Sequence, residues 1–161
     1  MRVDKRILVL YTAIFLSSFT LCFSQTKERE SFREMEIQVL KLINEHRTSI
    51  GLSELKNNED IHSEATTHST NMAEEKVSFS HDGFDGRVER LMKKVGGSSI
   101  AENVALGQTT AQEVVDSWLS SEGHKQNIES DYNLTGIGIA RGNDGDLYFT
   151  QIFLLNKHPK K

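Results

Sequence analysis

The sequence predicts an α+β domain in which helices pack over a small antiparallel sheet. Two observations support this fold class. Apolar residues recur at helical spacing through most of the chain, and two segments rich in β-forming residues, joined by a turn signal, end it. With 161 residues, the chain is long enough for one domain with a substantial core.

The first 24 residues are expected to be a secretory signal peptide. Three basic residues lie within the first six positions, and an almost wholly apolar run follows from Ile7 to Phe23. The alternative is an uncleaved anchor, because this run approaches the lower length limit for a membrane span. Cleavage would export the protein to the periplasm or the extracellular space and leave no stable membrane span.

Composition narrows the possible partners of the mature chain. Cys22 is the only cysteine, so cleavage leaves a domain that must be stable without disulfides. The bulky Leu21 argues against lipid modification of that cysteine. The formal net charge is −4, and the signal segment removes more basic than acidic residues. An acidic domain without a clustered basic face is a poor candidate for binding nucleic acid.

Helical periodicity defines the first half of the domain. Residues 25–35 are polar at first and are expected to form a short linker. The spacing predicts a first helix from about Glu34 to Ser49 and a second from Asn57 or Asn58 to about Lys76. The apolar face of the first helix is read from Ile37, Leu40, Ile43 and Arg47, and is widened by Val39 and Leu42. The buried stripe of the second is read from Ile61, Ala65, His68 and Met72.

The second half ends in strands. A third helix is expected over roughly residues 86–95, and a short extended piece over residues 100–106. Thr109 or Thr110 caps a fourth helix. The segments "NLTGIGIAR" and "LYFTQIFLL" flank "GNDGD", which indicates a hairpin. The domain is therefore expected to span residues 36–155, with residues 156–161 as a tail.

Several residues have structural interpretations. Trp118 is expected to anchor the core. Arg87 and Arg90 are expected to pair with nearby carboxylates. Gly136 and Gly138 leave one strand face bare, which allows either a close approach from a cleft or tight packing of a helix.

The histidines fall into two groups. His46, His62 and His158 are interpreted as surface residues, and His68 as a core histidine with one satisfied hydrogen bond. His81 and His124 differ, because each lies in or beside a loop, near glycine, after an apolar anchor. Loops on a rigid scaffold often carry functional residues.

Glu102 is the third unusual residue. It is a lone carboxylate in the apolar stretch "IAENVA", where a buried charge needs a cation, a donor or a metal to compensate it.

The order of seven stretches resembles the CAP superfamily, which contains cysteine-rich secretory and pathogenesis-related proteins and SCP-like extracellular domains. These stretches are "LINEHRTSIGLSEL", "HSEATTHSTNMAEE", "FSHDG", "AENVALG", "VVDSWLSSEGHKQNI", "TGIGIA" and "YFTQIF". The resemblance is nearest to the cysteine-free bacterial branch and covers about residues 36–153. It implies a three-layer α-β-α sandwich with a cleft that contains two histidines and two acidic residues.

Residue by residue, the resemblance places His81, Glu102 and His124 in that cleft. It suggests that Gly123 ends the fourth helix so that His124 can face the other two residues. The second acidic position of the family falls on Ser121. Glu122 is adjacent, but a shift of one residue turns a helical side chain by about 100°, so its place in the cleft stays open.

Two imidazoles and a carboxylate form a plausible ligand set for Zn²⁺ or another divalent metal. The first hypothesis is an exported, non-enzymatic domain whose cleft binds a divalent metal or a small ligand through His81, His124 and Glu102. The alternatives are an extracellular metal-dependent hydrolase of peptide or cell-wall substrates, and a structural or lipid-binding module. The expected partner is a small ligand, a lipid or a cell-envelope component.

Overall fold

The structure is a computed structural model that describes the backbone of residues 5–157 and the side chains of residues 25–157. The chain divides into two units, Met1–Glu34 and Met35–Lys161. The first unit is helical where it is described. The second contains the core and every residue of the candidate site.

The described chain contains five helices and four strands. The helices are α1 (Lys5–Ser49), α2 (Glu59–Ala73), α3 (Phe84–Lys94), α4 (Ala111–Ser120) and α5 (Glu122–Glu129). The strands are β1 (Lys56–Asn57), β2 (Ser99–Leu106), β3 (Leu134–Arg141) and β4 (Leu147–Leu155). Among the described residues, none of these helices combines the length and the apolar character needed to cross a bilayer.

The four strands form one sheet in the order β1-β3-β4-β2. The hairpin β3–β4 is antiparallel, as the sequence predicts, and β2 pairs antiparallel with β4 at one edge. The prediction of a purely antiparallel sheet is incomplete, because β1 adds a parallel pair at the other edge. This strand has only two residues, which is too short for any alternation to reveal it.

Helices cover both faces of the sheet, which gives the three-layer α-β-α sandwich. Alternate residues of each strand point to opposite faces. One face packs against α2 and α3 through a core cluster of Ile61, Ala65, Leu91, Ile152 and Leu154. On α4, Trp118 is fully buried and donates from Nε1 to the carbonyl of Val104 in β2, which confirms its anchoring role.

Bare backbone on β3 lets α2 come unusually close. A Cβ at Gly136 would overlap backbone atoms of Ile61 and His62, and one at Gly138 would overlap those of Ala65 and Thr66. A hydrogen bond of 2.9 Å from the Ser69 hydroxyl to the carbonyl of Gly138 stabilises this close contact between α2 and β3. These glycines therefore serve tight helix packing, one of the two roles that the sequence left open.

The buried face of α1 differs from the predicted face. The helix continues through residues 25–35, the predicted linker, where its side chains are mostly exposed. Ile37 is 59% exposed, whereas Glu36 and Arg47 are buried together with Val39 and Ile43. Val39, Ile43 and Arg47 belong to the predicted face. Apolar spacing includes the exposed Ile37 and omits Glu36, a charged residue whose burial is compensated by His62.

The break between α4 and α5 lies at Ser121, and the prediction that Gly123 ends the helix is wrong. Ser121 has an extended backbone (φ −95°, ψ 119°) and is at once the C-cap of α4 and the N-cap of α5. Gly123 lies inside α5. The sequence suggested glycine as the terminator because glycine often follows a helix, but a residue of any type can take this extended conformation.

A pair of Gly→Ala substitutions tests this packing. Gly138→Ala is expected to lower the free energy of unfolding by about 2 kcal/mol or more, because the new methyl group meets the backbone of α2. Gly123→Ala is the control, since its Cβ meets nothing within 4 Å in an exposed helix. It is expected to be neutral or to stabilise by up to about 1 kcal/mol. Urea unfolding measures both, and equal effects would contradict the account.

Candidate functional site

A buried carboxylate lies at the centre of the site. The Glu102 side chain is 1% exposed and points from the edge strand β2 toward α3. Arg87 donates to both of its oxygens, from Nη2 to Oε1 at 2.7 Å and from Nε to Oε2 at 2.8 Å. This bidentate pairing compensates the burial of both charges.

His81 is oriented by the same carboxylate. Its Nδ1 lies 2.9 Å from Oε1 of Glu102. An ionised carboxylate only accepts hydrogen bonds, so Nδ1 must be the donor. The neutral imidazole then carries its proton on Nδ1 and leaves the lone pair of Nε2 free. Because the side chain of His81 is 50% exposed, that lone pair is accessible to a ligand.

Two further contacts fix the loop that carries His81. His68, buried on α2, lies 2.9 Å from the carbonyl of Ser80, so its Nε2 donates that hydrogen bond. Arg87 Nη1 donates to the carbonyl of Asp82 at 2.8 Å. Burial is the main cause that lowers the pKa of His68, and the Arg87 charge adds to it. His68 is thus confirmed as a core histidine with one hydrogen bond, and it also positions the loop.

His124 reaches the site from the opposite layer. The next residue of β2 after Glu102 is Asn103, which points to the other face of the sheet. Asn103 donates from Nδ2 to the backbone carbonyl of His124 at 3.1 Å, and its Oδ1 accepts from Asn127 at 2.8 Å. The edge strand β2 therefore contacts both sides of the site. Glu102 binds the ring of His81, and the next residue, Asn103, binds the backbone of His124.

Arg47 anchors the far end of the helix that carries His124. It is 1% exposed and donates to the carbonyls of Ser130 at 2.9 Å and Tyr132 at 3.0 Å, just beyond α5. It also donates to the carbonyl of Ile128 within α5. Sequence reasoning missed this role. The only feature of the sequence that pointed to it was the position of Arg47, a charged residue four positions after Ile43 on the face expected to be buried.

The two imidazoles influence each other electrostatically. Burial lowers the pKa of His124, and the charge of His81 lowers it further. No hydrogen bond to the His124 ring occurs within residues 25–157. His124 is therefore a half-buried, neutral imidazole at pH 7, near His81 and with its ring nitrogens available.

The surface interpretation of the remaining histidines needs correction. His62 is half-buried and lies 3.0 Å from the buried carboxylate of Glu36, so it is not a solvated residue. His46 pairs with Glu129 at 2.8 Å. His158 lies outside the described residues. A local sequence pattern could not predict these pairs, because Glu36 and Glu129 are distant in sequence from the histidines that they contact.

Glu122 does not join the cluster. It is exposed at the start of α5, and no contact with His81, Glu102 or His124 is found within the described residues. Instead it lines a shallow groove with Lys125 and Glu129.

The arrangement of His81, His124 and Glu102 differs from the set of three metal ligands that the sequence suggested. Among residues 25–157, no three or more His, Cys, Asp or Glu side chains are grouped so as to hold a metal ion. Both oxygens of Glu102 are engaged by Arg87, so Glu102 lies behind His81 rather than beside it. The groups left for a metal are the two imidazoles of His81 and His124, a ligand type that suits zinc, copper and nickel.

Comparison with known proteins places this fold and site in context. The family model described as the cysteine-rich secretory protein family (CAP) matches residues 40–153. The chain is 35% identical over 132 residues to the uncharacterized protein YkwD of Bacillus subtilis (strain 168), which covers 80% of this chain and 50% of YkwD. It is 32% identical to the uncharacterized membrane protein YlbC of the same strain, over 74% of this chain and 34% of that protein. The chain thus spans half or less of the curated relatives it matches.

Solved structures share the fold. An extracellular protein with an SCP domain from Bacillus anthracis is 27% identical, with a TM-score of 0.66 over 77% of this chain and 41% of that one. An outer surface protein from Borrelia burgdorferi is 21% identical, with a TM-score of 0.66 over 78% of this chain and 94% of that one.

Two arginines on α3 offer a matched test of the buried ion pair. Arg87→Met leaves Glu102 buried without its cation and is expected to lower the free energy of unfolding by about 3–5 kcal/mol. Arg90→Met breaks an exposed bidentate pair with Glu64 and is expected to cost at most about 1 kcal/mol. Urea unfolding at neutral pH compares them. Similar losses in the two variants would contradict a central role for Glu102.

The coupling between the imidazoles predicts a pKa change. His81→Gln removes the positive charge near His124, so the pKa of His124 should rise toward its ordinary value while burial still holds it below. An NMR titration of the imidazole resonances measures this shift. His46→Gln serves as the control and should leave the His124 titration unchanged. An unaltered His124 pKa in His81→Gln would show that the two rings do not interact.

Proposed function

The chain belongs to the cysteine-rich secretory protein (CAP) family, and on that premise we propose that it is an exported binding protein. Its ligand is a divalent transition-metal ion held by the imidazoles of His81 and His124. Glu102 is the positioning residue of this site and not a ligand.

The orientation of His81 carries the proposal. A histidine that ligates a metal commonly donates its other ring N–H to a carboxylate, which fixes the tautomer and raises the basicity of the ligating nitrogen. His81 makes this contact through Nδ1, at 2.9 Å from Glu102. Nε2 of this half-exposed ring is then the ligand atom, and Arg87 holds the carboxylate in place.

His124 supplies the second imidazole. A metal ligand must be unprotonated, and the lowered pKa of His124 favours its neutral ring at pH 7. Two protein ligands leave positions for water or for a small external ligand. A bound metal would act there as a Lewis acid toward that ligand.

The polar contacts favour binding over hydrolysis. Ser80, next to His81, donates its hydroxyl proton to the carbonyl of Ser78 and accepts from the amide of Asp82. Its hydroxyl therefore serves the loop and is not aligned with an imidazole as a nucleophile would be. Glu102 is committed to Arg87, so it is a poor general base for activating water.

Two observations support export. The first 24 residues have the pattern of a secretory signal. Similar proteins are described as an extracellular protein in Bacillus anthracis and an outer surface protein in Borrelia burgdorferi. The metal or ligand bound outside the cell membrane would then be taken from the environment or the cell envelope.

Calorimetry with Zn²⁺ at about pH 7.5 tests the proposal, because a metal binds unprotonated imidazoles. The chain is expected to bind one zinc ion, and His81→Ala and His124→Ala should each weaken binding by more than about tenfold. His62→Ala is the matched control, because His62 pairs with Glu36 away from the imidazole pair. Circular dichroism checks that each variant is folded.

The same titration separates the roles of the ligands and of Glu102. Glu102→Gln should weaken zinc binding by about tenfold to a hundredfold while leaving one site per chain, as expected for a positioning residue. No zinc uptake by the wild type, or equal uptake by the double variant His81→Ala/His124→Ala, would contradict the metal site. A cleft that captures a metal-free small ligand would then be the remaining explanation.

A further inference from the structure

A second concave surface lies beside the His81 loop. It is an open groove of about 490 Å³ between the end of α2, the loop that follows and the start of β4. Its apolar lining comes from Met72, Val77, Phe79 and Tyr148, and its acidic lining from Glu75 and Asp82. Phe79 is 47% exposed, one of the few large hydrophobic side chains of the described chain that are left open to solvent.

We propose that this groove binds a basic peptide segment in which an apolar side chain neighbours a lysine or arginine. The proposal goes beyond the metal site and does not depend on it. Phe79 and Asp82 flank His81 in sequence, so such a peptide would lie next to the imidazole pair.

The charges around the groove favour a cationic ligand. The carboxylates of Glu75 and Asp82 make no hydrogen bond or ion pair within residues 25–157. Lys76, which also lines the groove, is paired with Glu74 and contributes little net charge. A cation that enters the groove would therefore meet two carboxylates with no competing partner.

Further carboxylates lie near Tyr148, which lines the groove. Partial burial raises the pKa of Tyr148, and the charges of Asp144, Asp146 and Glu75 raise it further. Carboxylates thus approach the ring from the β3–β4 turn on one side and from the end of α2 on the other. The raised pKa keeps the phenol neutral at pH 7, and Tyr148 lines the groove.

Glu75 is placed in the groove at a local backbone cost. It has φ 57° and lies just past the C-cap of α2. The amide of Glu75 donates to the carbonyl of Met72 at 3.0 Å, and that of Lys76 to the carbonyl of Asn71 at 2.9 Å. These two bonds define a Schellman motif, whose left-handed position is most often occupied by glycine. Glycine would satisfy the turn without strain, so a glutamate here is better explained by its side chain.

The size of the groove suits a short peptide segment. Its volume falls within the roughly 300–1,000 Å³ typical of sites for ligands of modest size, which is room for about two or three residues. The exposed ring of Phe79 can contact an aliphatic side chain, and its face can attract a neighbouring ammonium or guanidinium group.

NMR titration of the full ¹⁵N-labelled chain tests the proposal, with a chelator present to keep the metal site out of the measurement. The probe is acetyl-leucyl-lysyl-leucinamide, and the matched control peptide carries glutamate in place of lysine. The basic peptide is expected to shift the amide resonances of Val77–Asp82 and Tyr148, with an affinity that falls as salt is added. The acidic peptide should leave these resonances in place.

The variant Glu75→Gly separates binding from folding. It relieves the left-handed backbone, so Tm is expected to stay unchanged or to rise, while the basic peptide should bind about threefold to fivefold more weakly. Phe79→Ser should weaken binding by a similar factor. Glu54→Gln removes a carboxylate that does not line the groove and should bind as the wild type does.

Three outcomes would overturn the proposal. The first is an absence of shifts at these amides with the basic peptide at millimolar concentration. The second is an equal response to the acidic peptide. The third is unchanged affinity in both Glu75→Gly and Phe79→Ser. Because the chelator removes metal throughout, none of these outcomes bears on zinc binding by His81 and His124.

Discussion

The buried ion pair between Arg87 and Glu102 is the interaction on which the candidate site depends. A carboxylate that is 1% exposed would be prohibitively unfavourable without its bidentate partner. As the carboxylate of an ion pair with Arg87 it accepts hydrogen bonds, including the one that Nδ1 of His81 donates. The same guanidinium holds the carbonyl of Asp82, so one arginine fixes both the carboxylate and the loop that carries the imidazole.

The edge strand β2 brings two layers of the sandwich to one place. Glu102 points to the layer of α2 and α3, and Asn103 points to the layer of α5. An interior strand would have neighbours on both sides, and the two histidines could not meet around it. Arg47 completes this arrangement by tying the end of α1 to the end of α5. The imidazole pair is thus a consequence of sheet topology. The acidic groove beside it is lined by residues of the same loop on either side of His81, chiefly Val77–Phe79 and Asp82.

Features with local causes could be predicted from the sequence, and features with distant causes could not. The β3–β4 hairpin and the Thr110 cap of α4 are encoded within a few residues, and both are found where they were expected. Glu102 was identified as unusual because a lone carboxylate interrupts an apolar run. Its partner Arg87 could be expected to pair with some carboxylate, but which one depends on how α3 packs against β2. Arg47 was read as part of a helix face, since its carbonyl partners lie more than eighty residues away.

The tautomer of His81 is the most direct measure of this account. Long-range ¹H–¹⁵N NMR spectra of the metal-free chain, recorded at a pH where its imidazoles are neutral, distinguish a proton on Nδ1 from one on Nε2. We expect His81 to carry its proton on Nδ1, donated to Glu102, and to leave Nε2 unprotonated. A proton on Nε2 would show that Glu102 does not orient this ring, and the proposed ligand atom would then be lost.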